Sequence, residues 1–139
     1  MIKFQIITLS GVKFDEDIYE VQLPTPDGRI GIFAGHMPLV SIAVPGIVII
    51  RRQKRDLDDK LEYYATDGGV IEIMDNVVRI LADEALAAEE VQEETAKKAL
   101  ADAKQAYADA KDTVSLSHAQ AMIDRQSVRL DIAKYKRRR

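Results

Sequence analysis

Cysteine is absent from this chain of 139 residues, and histidine occurs only at His36 and His118. The absence of cysteine excludes a disulfide, a thiolate zinc site and a thiol nucleophile. The two histidines lie in separate segments and do not pair a nucleophile with a base, so we expect no catalytic residue. We also expect no bound metal and no cofactor, and the sequence indicates a protein that is not an enzyme.

A long apolar segment and an excess of positive charge are lacking as well. The longest uncharged run, residues 30–50, contains glycine, proline and a histidine, which excludes a membrane span. A formal net charge of -3 indicates no polyanionic partner, and the basic residues have no aromatic platform for nucleic acid. The amino end shows no targeting signal, from which we expect synthesis in the compartment where the protein works.

Glycine and proline are concentrated in residues 24–46, which hold all four prolines and four of the seven glycines. They alternate with short apolar runs, a pattern typical of tightly turned β structure. Asp27 and Gly28 predict a turn because glycine adopts a positive φ without steric cost. Pro38 and Pro45 lack a backbone donor, so we expect strand pairing to end at each of them.

The rest of residues 3–82 consists of short apolar runs separated by turn signals, which is typical of a sandwich or barrel. One turn is predicted at Asp67, Gly68 and Gly69, and a two-residue hairpin turn at Asp75 and Asn76. The charged residues 51–60 predict a solvated hairpin tip.

From about Ala82 the apolar period changes from two residues to three or four, which predicts helices. The first helix covers residues 85–111, and its narrow apolar stripe is mostly alanine, which buries little area and predicts weak docking. Residues 111–115 interrupt this stripe. A capping box formed by Ser117 and Gln120 predicts a second helix that runs to about Lys136.

Two blocks of residues are spaced as in a known family. The first block consists of Gly28, Gly31, Ile32, Gly35, His36, Pro38 and Leu39. The second block consists of Asp67, Gly68, Gly69, Val70 and Glu72, followed by residues 78–83. Over its whole length the chain resembles the epsilon subunit of the rotary proton-translocating ATP synthase. We therefore predict an antiparallel β sandwich of about ten short strands over residues 1–83, and a C-terminal α-helical hairpin, a two-helix regulatory domain, over residues 84–139.

The resemblance implies a noncatalytic subunit of the central stalk, or rotor. In this family the sandwich binds the gamma shaft and the ring of membrane c subunits, so that proton-driven rotation of the c-ring turns the shaft. The resemblance also implies a peripheral position on the cytoplasmic face of a bacterial plasma membrane, rather than a thylakoid, with membrane contact only through the complex. The residues implied to contact the c-ring and gamma are Asp27, Gly28, Arg29, His36 and Met37.

The helical tail is implied to be regulatory. Folded back on the sandwich it permits turnover, and extended along the shaft it opposes ATP hydrolysis by contacting an acidic segment on the beta subunits of the alpha/beta catalytic head. The basic residues alone leave open another interpretation, in which cations at a helix carboxyl end meet the negative end of the macrodipole. The residues implied to make the inhibitory contact are Arg125, Arg129, Lys134 and Lys136.

Some members of the family bind ATP through an I/L-D-x-x-R-A motif at the start of the first helix. The matching residues here are Val91, Gln92, Thr95 and Ala96, so the acid and the arginine of the motif are both replaced. Loss of the arginine removes a fixed cation with forked donors, and we predict weak or absent ATP binding.

A function of another class also fits the residues. A free-standing β-sandwich adaptor, or binding module, could present the helical hairpin to some other protein. Co-purification with the gamma subunit and with ATPase activity distinguishes the rotor subunit from the adaptor.

Overall fold

A computed structural model describes residues 1–137, of which residues 136 and 137 are described by their backbone alone. Within these residues a β sandwich is followed by two helices that pack on each other, and we call residues 93–137 the helical arm. The strands and helices are β1 (Ile2–Thr8), β2 (Gly11–Ile18), β3 (Glu20–Thr25), β4 (Gly28–Phe33), β5 (Leu39–Arg51), β6 (Glu62–Met74), β7 (Val77–Ala82), β8 (Ala85–Ala87), α1 (Glu93–Asp109) and α2 (Thr113–Arg137).

The strands follow the order β2-β1-β7-β6-β5-β3-β4, and β8 pairs with β6 beside this path. All neighbours are antiparallel except β1 and β7, which run parallel. The predicted sandwich followed by a helical hairpin is confirmed. The parallel pair was not predicted, because no local pattern reports which distant strands become neighbours.

One hydrophobic core receives side chains from all eight strands. Along β5 the residues that face this core change from odd to even numbers, since Ala43 faces it and then Val48 and Ile50. Side chains alternate between the two faces of a strand, so β5 must change faces between these positions. The expectation that Pro45 ends strand pairing is wrong, because Pro45 lies inside β5, opposite Asp67 of β6.

Strand β6 changes faces at the same level. Its Gly68 and Gly69 have φ values of 95° and 150°, which kink the strand without reversing it. A side chain at Gly69 has no room, because an added Cβ would lie 1.9 Å from the carbonyl oxygen of Leu81. The turn predicted at Asp67, Gly68 and Gly69 is therefore a kink within one strand. Because such kinks join segments into the long strands β5 and β6, the count is eight strands rather than about ten.

Both helices begin at other residues than predicted. Helix α1 begins at Glu93 instead of residue 85, because Ala85–Ala87 forms β8 and pairs with β6. Helix α2 begins at Thr113 instead of after Ser117. Its cap is the carboxylate of Asp112, whose Oδ1 accepts a hydrogen bond from the backbone N–H of Ser115 at 2.7 Å. This hydrogen bond lowers the pKa of Asp112.

Candidate interaction surfaces

An exposed row of apolar side chains crosses the outer face of β5, β6 and β7. Ile42 is paired with Val70, and Val70 with Leu81, and their exposed fractions are 65%, 42% and 39%. Ile7 on β1 lies opposite Leu81 and extends the row. Directly paired side chains on one face of a sheet lie about 5 Å apart, so these residues form one continuous surface. We call Ile7, Ile42, Val70 and Leu81 the apolar strip.

The row next to the apolar strip is polar on β6, β7 and β1, whereas its residue on β5 is Val40. Arg79 lies 3.6 Å from the carboxylate of Glu72 and donates a hydrogen bond from Nε to Gln5 at 2.7 Å. An apolar strip beside satisfied polar groups has the anatomy of a protein interface, with a dry centre and a wet rim.

The bend at His36 is fixed by the hairpin between β6 and β7. The backbone N–H of Gly35 donates to Asn76 Oδ1 at 2.9 Å, and Asn76 Nδ2 donates to the carbonyl of Met1 at 3.0 Å. His36 Nδ1 lies 2.7 Å from the carbonyl oxygen of Met37, as expected of a turn residue whose ring is held by the backbone. Three methionines are exposed around this bend, Met1 to 54%, Met37 to 73% and Met74 to 54%.

The other predicted ring or shaft contacts lie at the opposite end of β4, in the turn that contains Asp27, Gly28 and Arg29. A strand of six residues spans about 20 Å at about 3.3 Å per residue. Arg29 donates from Nη1 to the carbonyl of Ile47 at 3.0 Å and borders a cavity of about 220 Å³ together with Tyr135 of α2. The structure therefore places the five residues in two separate groups, and Arg29 is beside the helical arm.

Helix α2 lies against β5 and β6, while α1 packs mainly on α2. Ile132 is fully buried in this contact, and the rings of Tyr63 and Tyr135 stack with centroids 4.6 Å apart. In the predicted α1 stripe Ala103 is buried, whereas Tyr107 remains 44% exposed. The contact is centred on a second cluster, separate from the sandwich core, of Ile47, Leu61, Tyr63, Ala65, Ala88, Val91 and Ile132.

Two of the four predicted inhibitory residues bind the sandwich. Arg125 Nη2 lies 3.0 Å from Asp67 Oδ2, and Arg129 Nη2 lies 3.1 Å from Glu84 Oε2. Lys134 is exposed and pairs only within its own helix among the described residues, at 3.6 Å from Asp131. The side chain of Lys136 lies outside the described residues.

The contact of Arg125 is incomplete. Its Nε is buried and has no hydrogen-bond partner within the described part of the chain. An unsatisfied buried donor costs about 1–3 kcal/mol, which offsets part of what the ion pair with Asp67 contributes.

The residues that match the ATP motif do come together. Val91, Gln92, Thr95 and Ala96 line a cavity of about 160 Å³ between the sandwich and the helices. The cation that lines this cavity is Arg129, and its charge is already paired with Glu84. Glu90 also borders the cavity, and its carboxylate lies 3.4 Å from Nζ of Lys13.

The charged segment after β5 is exposed at most positions, as predicted, but Arg52 near its start packs against the sandwich. Arg52 pairs with Glu62 and Glu16, and the hydrogen bond to Glu62 raises the pKa of Arg52. Its guanidinium also lies 5.3 Å from the ring centre of Phe14. These contacts join β2, β6 and the loop, so they brace the sandwich.

Residues 1–137 contain no cluster of three or more potential metal-ligating side chains. None of the helices in this part of the chain combines the length and apolar composition that crossing a bilayer requires. The prominent features of the described chain are surfaces that fit other proteins.

A family model described as the beta-sandwich domain of the ATP synthase delta/epsilon chain matches residues 1–88. The chain belongs to the ATP synthase delta/epsilon family. An ATP synthase epsilon chain of Herpetosiphon aurantiacus is 35% identical over 138 residues, covering 99% of this chain and 98% of that one. An epsilon chain of Chloroflexus aggregans is 34% identical over 141 residues, covering 99% and 97%.

Chains in two solved ATP synthase structures share the fold. A chain in the Euglena gracilis mitochondrial ATP synthase, OSCP/F1/c-ring, has a TM-score of 0.79 at 24% identity, covering 96% of this chain and 81% of that chain. A chain in the central stalk/c-ring structure of the Tetrahymena thermophila mitochondrial ATP synthase has a TM-score of 0.66 at 15% identity, covering 93% of each.

Two features of this family member were missed from the sequence. The apolar strip could have been found, because the hairpin turn at Asp75 and Asn76 fixes the register that pairs Val70 with Leu81. The acids that hold the arm, Asp67 and Glu84, carry no sequence signal. Their role depends on packing between residues far apart in the chain.

Proposed function

We propose that this chain is a noncatalytic rotor subunit of a rotary ATP synthase, which couples rotation of the c-ring to the gamma shaft. The observation that carries the proposal is similarity to epsilon chains over 99% of the chain, sandwich and arm together. The apolar strip supports this proposal, because a coupling subunit needs a surface that binds its partner. Its place is the cytoplasmic face of a bacterial plasma membrane, which it reaches only through the complex.

The apolar strip is the surface we assign to the shaft. Covering Ile42 and Val70, which are 65% and 42% exposed, removes apolar area from water on a face that the helical arm leaves open. A carboxylate placed in the strip would be desolvated without a partner in the complex.

A binding assay with purified gamma subunit tests this assignment. Val70→Asp should weaken gamma binding by about 2 kcal/mol or more, roughly thirtyfold. Leu57→Asp is the matched control, because Leu57 is 72% exposed in the loop between β5 and β6. Equal loss from both variants, or none from Val70→Asp, would show that the shaft binds elsewhere.

The c-ring contact falls to His36 and Met37 in our proposal, because their rigid bend lies at the end of β4 away from the arm. The chain has no cysteine, so a cross-link from a single introduced cysteine comes from that position alone. In the assembled complex His36→Cys should form a cross-link to the c-ring with a thiol-specific reagent. A cross-link from Arg29→Cys instead would give the ring contact to Asp27, Gly28 and Arg29.

The helical arm is proposed to inhibit ATP hydrolysis when it extends. Reconstitution of the catalytic head with the chain cut after residue 92 tests this, because β8 ends before that point and the sandwich stays whole. Hydrolysis should be faster with the truncated chain than with the full one. Equal rates would remove the inhibitory role while leaving the coupling role standing.

A further inference from the structure

Arg125 and Arg129 lie one helical turn apart on α2, and each faces an acid of the sandwich. The two ion pairs have N–O distances of 3.0 and 3.1 Å. The side chain of Asp67 is only 10% exposed and that of Arg129 22%, so these contacts lie partly out of water. Residues four apart share one face of a helix, and both arginines therefore engage together.

Of the two acids, Asp67 is held in place by the sandwich itself. Asp67 Oδ1 accepts a hydrogen bond from the backbone N–H of Glu84 at 3.1 Å, while its Oδ2 accepts from Arg125. Asp67 directly precedes the kink at Gly68 and Gly69, where the backbone has no freedom to accept a larger residue. Asp67 is thus preorganised to receive the arm, Glu84 adds a second carboxylate that is half exposed, and neither acid belongs to the arm.

We propose that Asp67 and Glu84 form an internal acidic receptor that competes with a partner's acidic surface for Arg125 and Arg129. This inference rests on the proposed inhibitory role of the arm. While α2 lies on the sandwich, Arg125 and Arg129 are held against Asp67 and Glu84, away from the position that an extended arm would take on another subunit. The docked and inhibitory contacts are then mutually exclusive, and the strength of the receptor sets how easily the arm leaves.

The buried Nε of Arg125 shows why the competition can go either way. The receptor leaves this donor without a partner among the described residues. A cluster of several carboxylates on a partner could satisfy more of the guanidinium's donors, since arginine binds carboxylates best through two parallel hydrogen bonds. The internal receptor therefore binds the two arginines in the free chain, and a partner that satisfies more of their donors can bind them more tightly in the complex.

The test removes the charge of the receptor and keeps its shape. In the double variant Asp67→Asn and Glu84→Gln, the asparagine retains an oxygen for the N–H of Glu84, so the kink stays intact. Amide hydrogen exchange of α2 in the isolated full chain should rise roughly tenfold, while exchange in β1 and β7 is unchanged. The matched control is Asp131→Asn, which removes an exposed acid of α2 that pairs within the helix.

Salt provides a measurement that needs no variant. At about 1 M salt the Debye length falls to about 3 Å, so exchange of α2 in the unaltered chain should also rise. Unchanged exchange in the double variant and in salt, or an equal rise in Asp131→Asn, would overturn the receptor.

Hydrolysis by the assembled complex separates this inference from the function it rests on. The double variant should inhibit hydrolysis more strongly than the unaltered chain, and adding Arg125→Ala and Arg129→Ala should abolish that extra inhibition. A released arm without extra inhibition would overturn the competition. If the chain cut after residue 92 also failed to change the rate, the inhibitory function itself would be wrong.

Discussion

Replacing Ile132 with alanine measures how strongly the helical arm is docked. Ile132 is fully buried in the second cluster, where it meets residues of β5 and β6 such as Ile47 and Tyr63. The sandwich core is a separate cluster and contains none of the described side chains of α2. The substitution therefore weakens the docking of the arm and leaves the sandwich core as it is.

The expected loss follows from the carbons removed. Isoleucine loses three side-chain carbons on truncation to alanine, and each buried carbon contributes about 0.8 kcal/mol, which gives about 2.4 kcal/mol. Incomplete collapse of the cavity raises the cost within the range of about 2–5 kcal/mol seen for buried aliphatic truncations. A loss of about 2.4 kcal/mol shifts the equilibrium between docked and released arm roughly fiftyfold.

Hydrogen exchange of the full chain tests this value. Amides of α2 should lose roughly fiftyfold in protection while those of β1, β6 and β7 keep theirs. Val114→Ala is the control, because Val114 lies on the same helix and is 80% exposed. Loss of protection throughout the sandwich would show that the arm and the sandwich unfold as one unit. The two clusters would then not differ in their free energy of opening.

Three further predictions concern the sandwich and the ATP motif. Gly69→Ala should destabilise the fold by about 3 kcal/mol or more in urea unfolding, and Gly31→Ala, whose Cβ meets nothing closer than 3.4 Å, by less than about 1 kcal/mol. Calorimetric titration should show no ATP binding at micromolar concentrations, and a micromolar dissociation constant would refute the interpretation of the motif. Burial raises the pKa of Tyr64, so stability should hold below about pH 9 and fall as pH rises past 10, where the unfolded chain ionises first. Tyr64→Phe should lessen that fall, and an identical pH profile would contradict the stated cause.

Turns governed by one or two residues could be predicted from the sequence. Asp75 and Asn76 have φ values of 51° and 62°, as a two-residue hairpin turn requires, and Gly28 has a φ of 117° in the predicted turn. Such signals depend only on local backbone preference. In these two turns they report the positive φ correctly.

The same signals do not report whether the chain reverses. Gly68 and Gly69 have positive φ like turn residues, yet β6 continues through them because β5 kinks opposite and the ladder is maintained. The predicted start of the first helix was wrong for a related reason. Ala85 has high helix propensity, but its side chain is 1% exposed in the sandwich core, and pairing with β6 outweighs propensity.

A surface formed within one hairpin can be predicted from the sequence, whereas a surface formed between distant segments cannot. Register around one turn places Val70 beside Leu81, whereas Asp67 and Arg125 meet across 58 positions of the chain. The residues Val91, Gln92, Thr95 and Ala96 themselves supply no cation, as the sequence shows. That Arg129 would border the cavity they line and be paired with Glu84 could not be inferred without the packing of α2.

The division into two clusters is consistent with the proposal of a rigid coupling piece that carries a movable arm. Release of α2 would expose the apolar face of β5 and β6 that includes Ile47, Tyr63 and Ala65, which are 6%, 9% and 5% exposed when the arm is docked. Exposing that face opposes release, and the two arginine pairs oppose it further. These contacts favour the docked arm in the free chain, and the proposed extension would need a partner whose contacts with the arm exceed both.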